Sequence, residues 1–279
     1  MCLCCGAIAV TFVDADQHDL APILEPAPGE FRLWPAARIQ ALFPAEADRD
    51  GIVRALSRAL GVDPALLRAR AVADRAWERE WLRDFHAMRF GRRLWVCPHH
   101  EQVADPGAAV VRMDPGLAFG TGTHATTALC LEWLDAHPPV AGAVVDFGCG
   151  SGVLALAALR LGARSASCFD IDPQALTAAR DNASANALSE RLRLCDSAET
   201  IPRGADLLLA NILSGPLVAL APRFADILRA SGALVLSGLL EPELSEVALA
   251  YEAWFDMQVF GVRESWVCLW GRRNDRPRT

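Results

Sequence analysis

Three glycines at alternate positions, Gly148, Gly150 and Gly152, follow Asp146 near the end of the apolar run VVDF. Residues without a Cβ at that spacing let the backbone approach a ligand closely where a strand gives way to a helix. About twenty residues further on, Asp170 in CFDIDPQAL is placed to accept hydrogen bonds from both hydroxyls of a ribose. Asp172 is the cap of the helix that Pro173 opens. In DLLLANILSGPL a buried strand ends in Ala210-Asn211-Ile212-Leu213, and the side-chain carbonyl oxygen of Asn211 can accept from a substrate amine. Upstream, MDPGLAFGTGTHATT carries Gly116, Gly120 and Gly122 around Phe119, with hydroxyls at Thr121, Thr123, Thr126 and Thr127. Such a stretch could close over a ligand and cap a helix together.

These residues need strand ends and helix starts to hold them. From Ala109 onward the pattern is of α/β type. It predicts strands at Ala143–Phe147, Ala166–Asp170, Leu192–Cys195, Leu207–Ala210, Ala233–Ser237, Met257–Val262 and Ser265–Trp270. Helices are expected at Thr123–Ala136, Val153–Leu161, Pro173–Ala185, Pro216–Leu228 and Pro242–Ala253. The last two strands are too close for a helix between them, so they form an antiparallel hairpin. Seven strands closed by a hairpin match the class I methyltransferase sheet better than a six-strand dinucleotide fold. The glycine pattern agrees: it is G-x-G-x-G, the spacing of enzymes that bind S-adenosylmethionine, and not the dinucleotide G-x-G-x-x-G.

Before this region, Ala7–Val13 reads as a strand, EPAPGEFRLW as a turn into a second strand around Phe31–Trp34, and Asp48–Leu60 as a helix stopped by Gly61. Leu66–Val72 reads as another strand. Together they predict a small α+β domain, with a first strand and helix missing in front. Arg75–Phe85 reads as a helix whose Trp77, Trp81 and Phe85 form a stripe packed on a neighbouring domain, Arg89–Val96 as one strand, and Cys97–Gly107 as turns. The expected boundaries are 1–73 for substrate recognition, 74–107 for a linker, and 108–279 for the catalytic domain.

Composition excludes several classes. Apolar residues make up 52% of the 279, so a packed core is expected, and the scattered, odd count of nine cysteines argues against a disulfide framework. Neither Cys2, Cys4 and Cys5 nor Cys97, His99 and His100 has a partner set at zinc-site spacing, and no metal is expected. The start lacks the basic segment of a signal peptide, and no run is long enough to span a membrane, so a cytoplasmic protein is expected. The net charge of −7 disfavours direct nucleic-acid binding and favours a basic protein partner. All 27 basic residues are arginine, which excludes a P-loop lysine and Schiff-base chemistry. Nothing points to an obligate oligomer.

MDPGLAFGTGTHATT, VVDFGCGSGVLA, FDIDPQAL and LLLANILSGPL resemble the motif series of the PrmA family of ribosomal protein L11 methyltransferases. EPAPGEFRLW and WEREWLRDFHAMRFGRRLWVCP resemble that family's substrate domain and linker, so the similarity runs from Ala7 to about Arg272. The chain departs from the family by lacking its opening strand and helix, and by Ala87 and Ala125 where the family commonly has proline. The resemblance implies a class I (Rossmann-like) methyltransferase domain behind a small α+β ferredoxin-like domain and a linker, the short start of that domain being either a misassigned start codon or a truncation. It implies S-adenosylmethionine as cofactor, L11 as substrate, and lysine side chains with the N-terminal amine as methyl acceptors. Carried over by motif, the donor-binding positions are Thr127, Gly148, Asp170 and Asn211, with Asn211 also catalytic.

Asp146, Gly150, Phe119 and Thr121 complete the expected donor site. Asp146 is read as holding the glycine turn or lying near the donor's amino group, and not as a base. His86 and His124 are read as hydrogen-bonded structural residues; Asp114 and Glu132 have no assigned role. Other readings are a related class I enzyme acting on lysine of another protein or on a small molecule, a nicotinamide-dependent dehydrogenase, and a donor-binding protein without activity.

Overall fold

The computed structural model describes residues 5–15, 36–72, 85–114 and 122–274. The chain divides into two compact units, Met1–Arg75 and Ala76–Thr279. Among the described residues no helix is long and apolar enough to cross a membrane.

In the first unit, β1 (Ala9–Asp14) pairs antiparallel with β2 (Ala37–Leu42), setting Val10 opposite Ala41 and Phe12 opposite Ile39. Helix α1 (Arg49–Leu60) starts where the Asp48 side chain accepts the Gly51 N–H at 3.0 Å and stops at Gly61, φ 66°. Both signals are in the sequence: an acid at the cap and a glycine in the left-handed region. Leu66–Val72, expected as a strand, is not one. Asp63 accepts the Ala65 N–H at 2.8 Å and caps a 3₁₀ turn over Pro64–Leu66, after which the chain is irregular. The proline and its cap decide the local geometry over the apolar alternation. The expected strand at Phe31–Trp34 lies outside the described residues, as does the Arg75–Phe85 helix except for Phe85, which is buried and not helical.

In the second unit, Arg89–Val96 is a hairpin and not one strand. β3 (Met88–Phe90) turns at Gly91, φ 68°, into β4 (Leu94–Cys97), which pairs parallel with β5 (Ala109–Arg112). The turn is held by α2 (Ala125–Ala136), whose Asp135 carboxylate accepts the N–H groups of Arg92, Arg93 and Leu94 at 2.5, 3.1 and 3.0 Å. Phe90, Leu94, Val96 and Val111 share one core with α2. Residues 88–97, expected within a linker, are thus fastened to the larger unit.

The main sheet contains β6 (Ala143–Phe147), β7 (Ser165–Phe169), β8 (Leu192–Cys195), β9 (Ala205–Asn211), β10 (Leu228–Leu240), β11 (Phe255–Arg263) and β12 (Trp266–Arg273). Its order is β11-β12-β10-β9-β6-β7-β8, parallel except for β12, which runs antiparallel to both β10 and β11. This is the class I methyltransferase sheet with its closing hairpin. Successive side chains alternate between two cores. Val144, Leu207 and Leu209 face α2, α3 (Val153–Arg160) and α4 (Pro173–Ala185); Val145, Leu208 and Ala210 face α5 (Ser214–Ile227) and α6 (Leu244–Tyr251).

β10 is longer than its expected Ala233–Ser237 core. Gly238, φ 88°, makes a bulge against β12, and the strand continues beyond it to Leu240.

Candidate functional site

β6 is flanked by β7 on one side and β9 on the other, so the chain leaves it in opposite directions. A crevice opens at the carboxyl ends of strands at such a switch point. Gly148 and Asp170 directly follow β6 and β7, and Asn211 is the last residue of β9, so that edge is the candidate site.

The glycine turn is held by backbone and carboxylates. The N–H groups of Gly148 and Cys149 donate to the Phe169 carbonyl at 2.7 and 3.0 Å. Gly148, Gly150 and Gly152 all have positive φ, 74°, 53° and 78°, which L side chains rarely adopt. A Cβ on Gly148 would stand 2.3 Å from Ile212 Cγ2, and one on Gly152 would stand 3.0 Å from Ala179 Cβ. The first glycine thus lets the turn lie against the segment after Asn211, and the third lets α3 pack on α4.

Asp170 is partly buried, and its two oxygens each accept a backbone N–H: Gly150 to Oδ2 at 2.9 Å and Asp172 to Oδ1 at 3.0 Å. A carboxylate oxygen has two lone pairs, so each retains one for a further donor such as a ribose hydroxyl. Asp172 accepts the Gln174 N–H at 2.8 Å and is the N-cap of α4, the division of labour expected for this pair.

Asp146 is 1% exposed, and its Oδ2 accepts the Ala155 N–H at 3.0 Å, which fixes the first turn of α3. Burial, with a smaller push from the Asp170 charge, raises its pKa from 3.8 to about 7 against the lowering by the Ala155 bond. The folded protein therefore keeps this proton up to about pH 7, while the unfolded chain releases it near pH 4. Between those limits the folded state binds more protons, so this group's contribution to stability falls as pH rises, by roughly 4 kcal/mol, and levels off above pH 7. Asp146→Asn, which keeps the acceptor for Ala155, should remove that slope. Urea unfolding at pH 5 and pH 8 samples the part of that span above pH 5: the variant is expected to be less pH-dependent than the wild type by about 2.7 kcal/mol, and equal slopes would contradict the assignment.

Asn211 Nδ2 donates to Thr127 Oγ1 at 3.1 Å, bringing the end of β9 to the first turn of α2, where Thr127 is 1% exposed. That bond uses the amide's donor side and turns its carbonyl oxygen away from Thr127. The Asn-Ile-Leu segment is clamped further along: the Ile212 N–H donates to the Ser237 carbonyl at 3.1 Å, and a Cβ on Gly238 would meet the Ile212 carbonyl oxygen at 2.3 Å. Ile212 is held between Gly148 and Gly238.

Of the expected site residues, Asp146, Gly148, Gly150 and Asp170 come together at the glycine turn, and Thr127 and Asn211 meet beside it. Phe119 and Thr121 lie outside the described residues. Gly122, φ 92°, lies where a Cβ would come within 3.1 Å of the Phe90 ring, so the end of that loop rests on β3. His124 is the N-cap of α2, its Nδ1 2.8 Å from Thr126 Oγ1 and its ring 5.1 Å from that of Trp266. His86 Nδ1 lies 2.6 Å from Glu101 Oε1, and Glu132 pairs with Arg263 at 2.9 Å. The Asp114 carboxylate accepts the His99 N–H at 2.9 Å.

Four residues at this edge were not singled out by sequence. Asn182 on α4 donates to the Ser151 carbonyl at 3.0 Å and steadies the glycine turn. Ile171, between Asp170 and Asp172, is 91% exposed, an apolar surface beside the carboxylate. Gly238 in β10 and Glu243 in the 3₁₀ turn just past its end hold the segment after Asn211. The only signal for Ile171 is an apolar residue between two acids; a glycine after an apolar strand hints at a bulge for Gly238; Asn182 and Glu243 leave none.

The family described as ribosomal protein L11 methyltransferase (PrmA) matches residues 1–274. Curated relatives named ribosomal protein L11 methyltransferase include one from Mannheimia succiniciproducens, 47% identical over 270 residues, 96% of this chain and 91% of that protein. Another, from Pseudomonas aeruginosa, is 48% identical over 269 residues, 96% of this chain and 90% of that one. Among solved structures, the ribosomal protein L11 methylase from Lactobacillus delbrueckii subsp. bulgaricus superposes with a TM-score of 0.63 at 31% identity, covering 68% of this chain and all of that one. The motifs, the strand order and these similarities agree: the chain belongs to the ribosomal protein L11 methyltransferase (PrmA) family.

Proposed function

We propose that this chain transfers methyl groups from S-adenosylmethionine to amines of ribosomal protein L11, namely lysine side chains and the N-terminal amine. The observation that carries the chemistry is the Asn211–Thr127 bond at the carboxyl edge of β9, beside the glycine turn. The cofactor supplies an electrophilic methyl group when bound. Asp170 would hold its ribose through the lone pairs left over from the Gly150 and Asp172 bonds. Ile171 offers an apolar face beside it, and Gly148, Gly150 and Gly152 leave room for close backbone approach.

The acceptor must present a lone pair. Freeing that of lysine near neutral pH costs about 4–5 kcal/mol, given an unperturbed pKa of about 10.4. Asp146 is spent on α3 and buried beneath the turn, and His124 caps α2, so neither is placed as a base. We assign the pKa drop to desolvation of the amine and its orientation to the Asn211 carbonyl oxygen. Proximity and alignment supply the larger part, on the order of 7–11 kcal/mol.

The N-terminal unit is assigned to recognition of L11, and the net charge of −7 suits a basic partner encountered in the cytoplasm. This reading has the enzyme act without contacting nucleic acid and without an obligate oligomer. Calorimetry and intact mass test it together. S-adenosylmethionine is expected to bind and NAD not to, and unmethylated L11 is expected to gain mass in whole methyl increments. Asp170→Ala, which removes two charge-assisted bonds, should weaken donor binding about a hundredfold or more. Unaltered donor affinity in that variant would sink the ribose assignment, and NAD binding in the wild type would contradict S-adenosylmethionine as the donor.

A further inference from the structure

We propose that Glu243 is a positioning residue for methyl transfer: its carboxylate latches the chain after β9 to the chain after β10 and so sets where Asn211 stands. The inference rests on the role of Asn211 given above.

Glu243 Oε1 accepts the Ser214 hydroxyl at 2.6 Å, and its Oε2 accepts the Leu240 N–H at 2.7 Å. Ser214 opens α5 and follows Asn211-Ile212-Leu213 directly, while Leu240 ends β10 just past the Gly238 bulge. One carboxylate therefore spans the two loops that flank the amine side of the crevice. The bonds to an ionised acceptor are short and strong, and the negative charge at the start of α5 is favoured by the helix dipole.

The turn is then fixed at successive points: Asn211 by Thr127, Ile212 by the Ser237 carbonyl, and Ser214 by Glu243. Loss of the last leaves a hinge within three residues of the amide that orients the amine. A displacement there alters alignment in the reacting complex and leaves the donor pocket around Asp170 untouched.

Glu243 also caps its own 3₁₀ turn through Leu240, a purely local task. Ser214→Ala separates the two roles, because it cuts the link to the amine turn and leaves the cap intact. With S-adenosylmethionine and L11, Ser214→Ala and Glu243→Ala are each expected to lower kcat about tenfold. Donor Kd and the KM for L11 should stay within about threefold, and the double variant should be no slower than Glu243→Ala. Glu243→Gln keeps an acceptor for Leu240 and gains a donor for Ser214, so it should restore most of the rate. Wild-type kcat in Ser214→Ala, with Glu243→Ala lowering only the melting temperature, would overturn the latch and leave a cap. If the wild type transfers no methyl to L11, the functional reading fails first. The latch is then read by amide hydrogen exchange at residues 212–214, where Ser214→Ala should exchange faster and unchanged rates would overturn it.

Discussion

Replacing Asn211 with alanine is expected to lower kcat for methyl transfer about a hundredfold or more, a barrier increase of about 2.7 kcal/mol, while donor Kd stays within about threefold. The split follows from where the residue stands. The ribose site is assigned to Asp170, after β7, whereas Asn211 ends β9 and is bound to Thr127 on α2. Alanine removes the carbonyl oxygen that orients the amine and strands the buried Thr127 hydroxyl, yet leaves the carboxylate at Asp170 in place. Asn211→Asp retains an acceptor and a partner for Thr127, and should keep more activity than alanine. Single-turnover rates with L11, together with calorimetry of the donor, check both variants. Full turnover in Asn211→Ala would remove the residue from the mechanism.

The second large effect is expected at a residue that touches neither donor nor amine. Gly238→Ala puts a Cβ 2.3 Å from the Ile212 carbonyl oxygen, 2.8 Å from its carbon and 3.0 Å from its nitrogen, at a backbone φ of 88°. These are backbone atoms, so no rotamer change relieves the clash. Left-handed strain of about 1–2 kcal/mol adds to overpacking of about 1–3 kcal/mol, for a predicted loss of roughly 2–5 kcal/mol in stability. The segment that must give way carries Asn211, so kcat should fall as well, by tenfold or more on the scale of misplaced reacting groups. Urea unfolding and turnover of the same preparation read the two losses. A variant with wild-type stability and rate would mean that the bulge does not hold the amine turn.

Much of this site is legible in the chain because its residues act through local geometry. Gly148, Gly150 and Gly152 announce a turn that only glycine enters easily; the acids of FDID divide into Asp170 and the α4 cap; Gly61 and Asp48 bracket α1. The expected ends of β6, β8 and α4 agree with the observed ones residue for residue. What stayed hidden depends on contacts far apart in sequence. Gly238 presses on Ile212, 26 positions earlier, and Glu243 reaches back to Ser214 across 29. The β3–β4 hairpin resembles one strand because its turn, GRR, has only one glycine, and the carboxylate that secures it sits on α2 at Asp135. At Leu66–Val72 the failure is of a different kind. Alternating apolar residues there meet a capped proline turn, and local hydrogen bonding overrides the period-two pattern.

Methyl transfer to L11 tests the central claim most directly. Unmethylated L11 is incubated with S-adenosylmethionine and either the wild-type chain or Asn211→Ala, then mapped by peptide mass. The wild type is expected to add methyl groups at lysine side chains or at the N-terminal amine, and Asn211→Ala to add few in the same time while binding the donor normally. Tight donor binding by the wild type with no mass shift on any L11 peptide would contradict the substrate assignment.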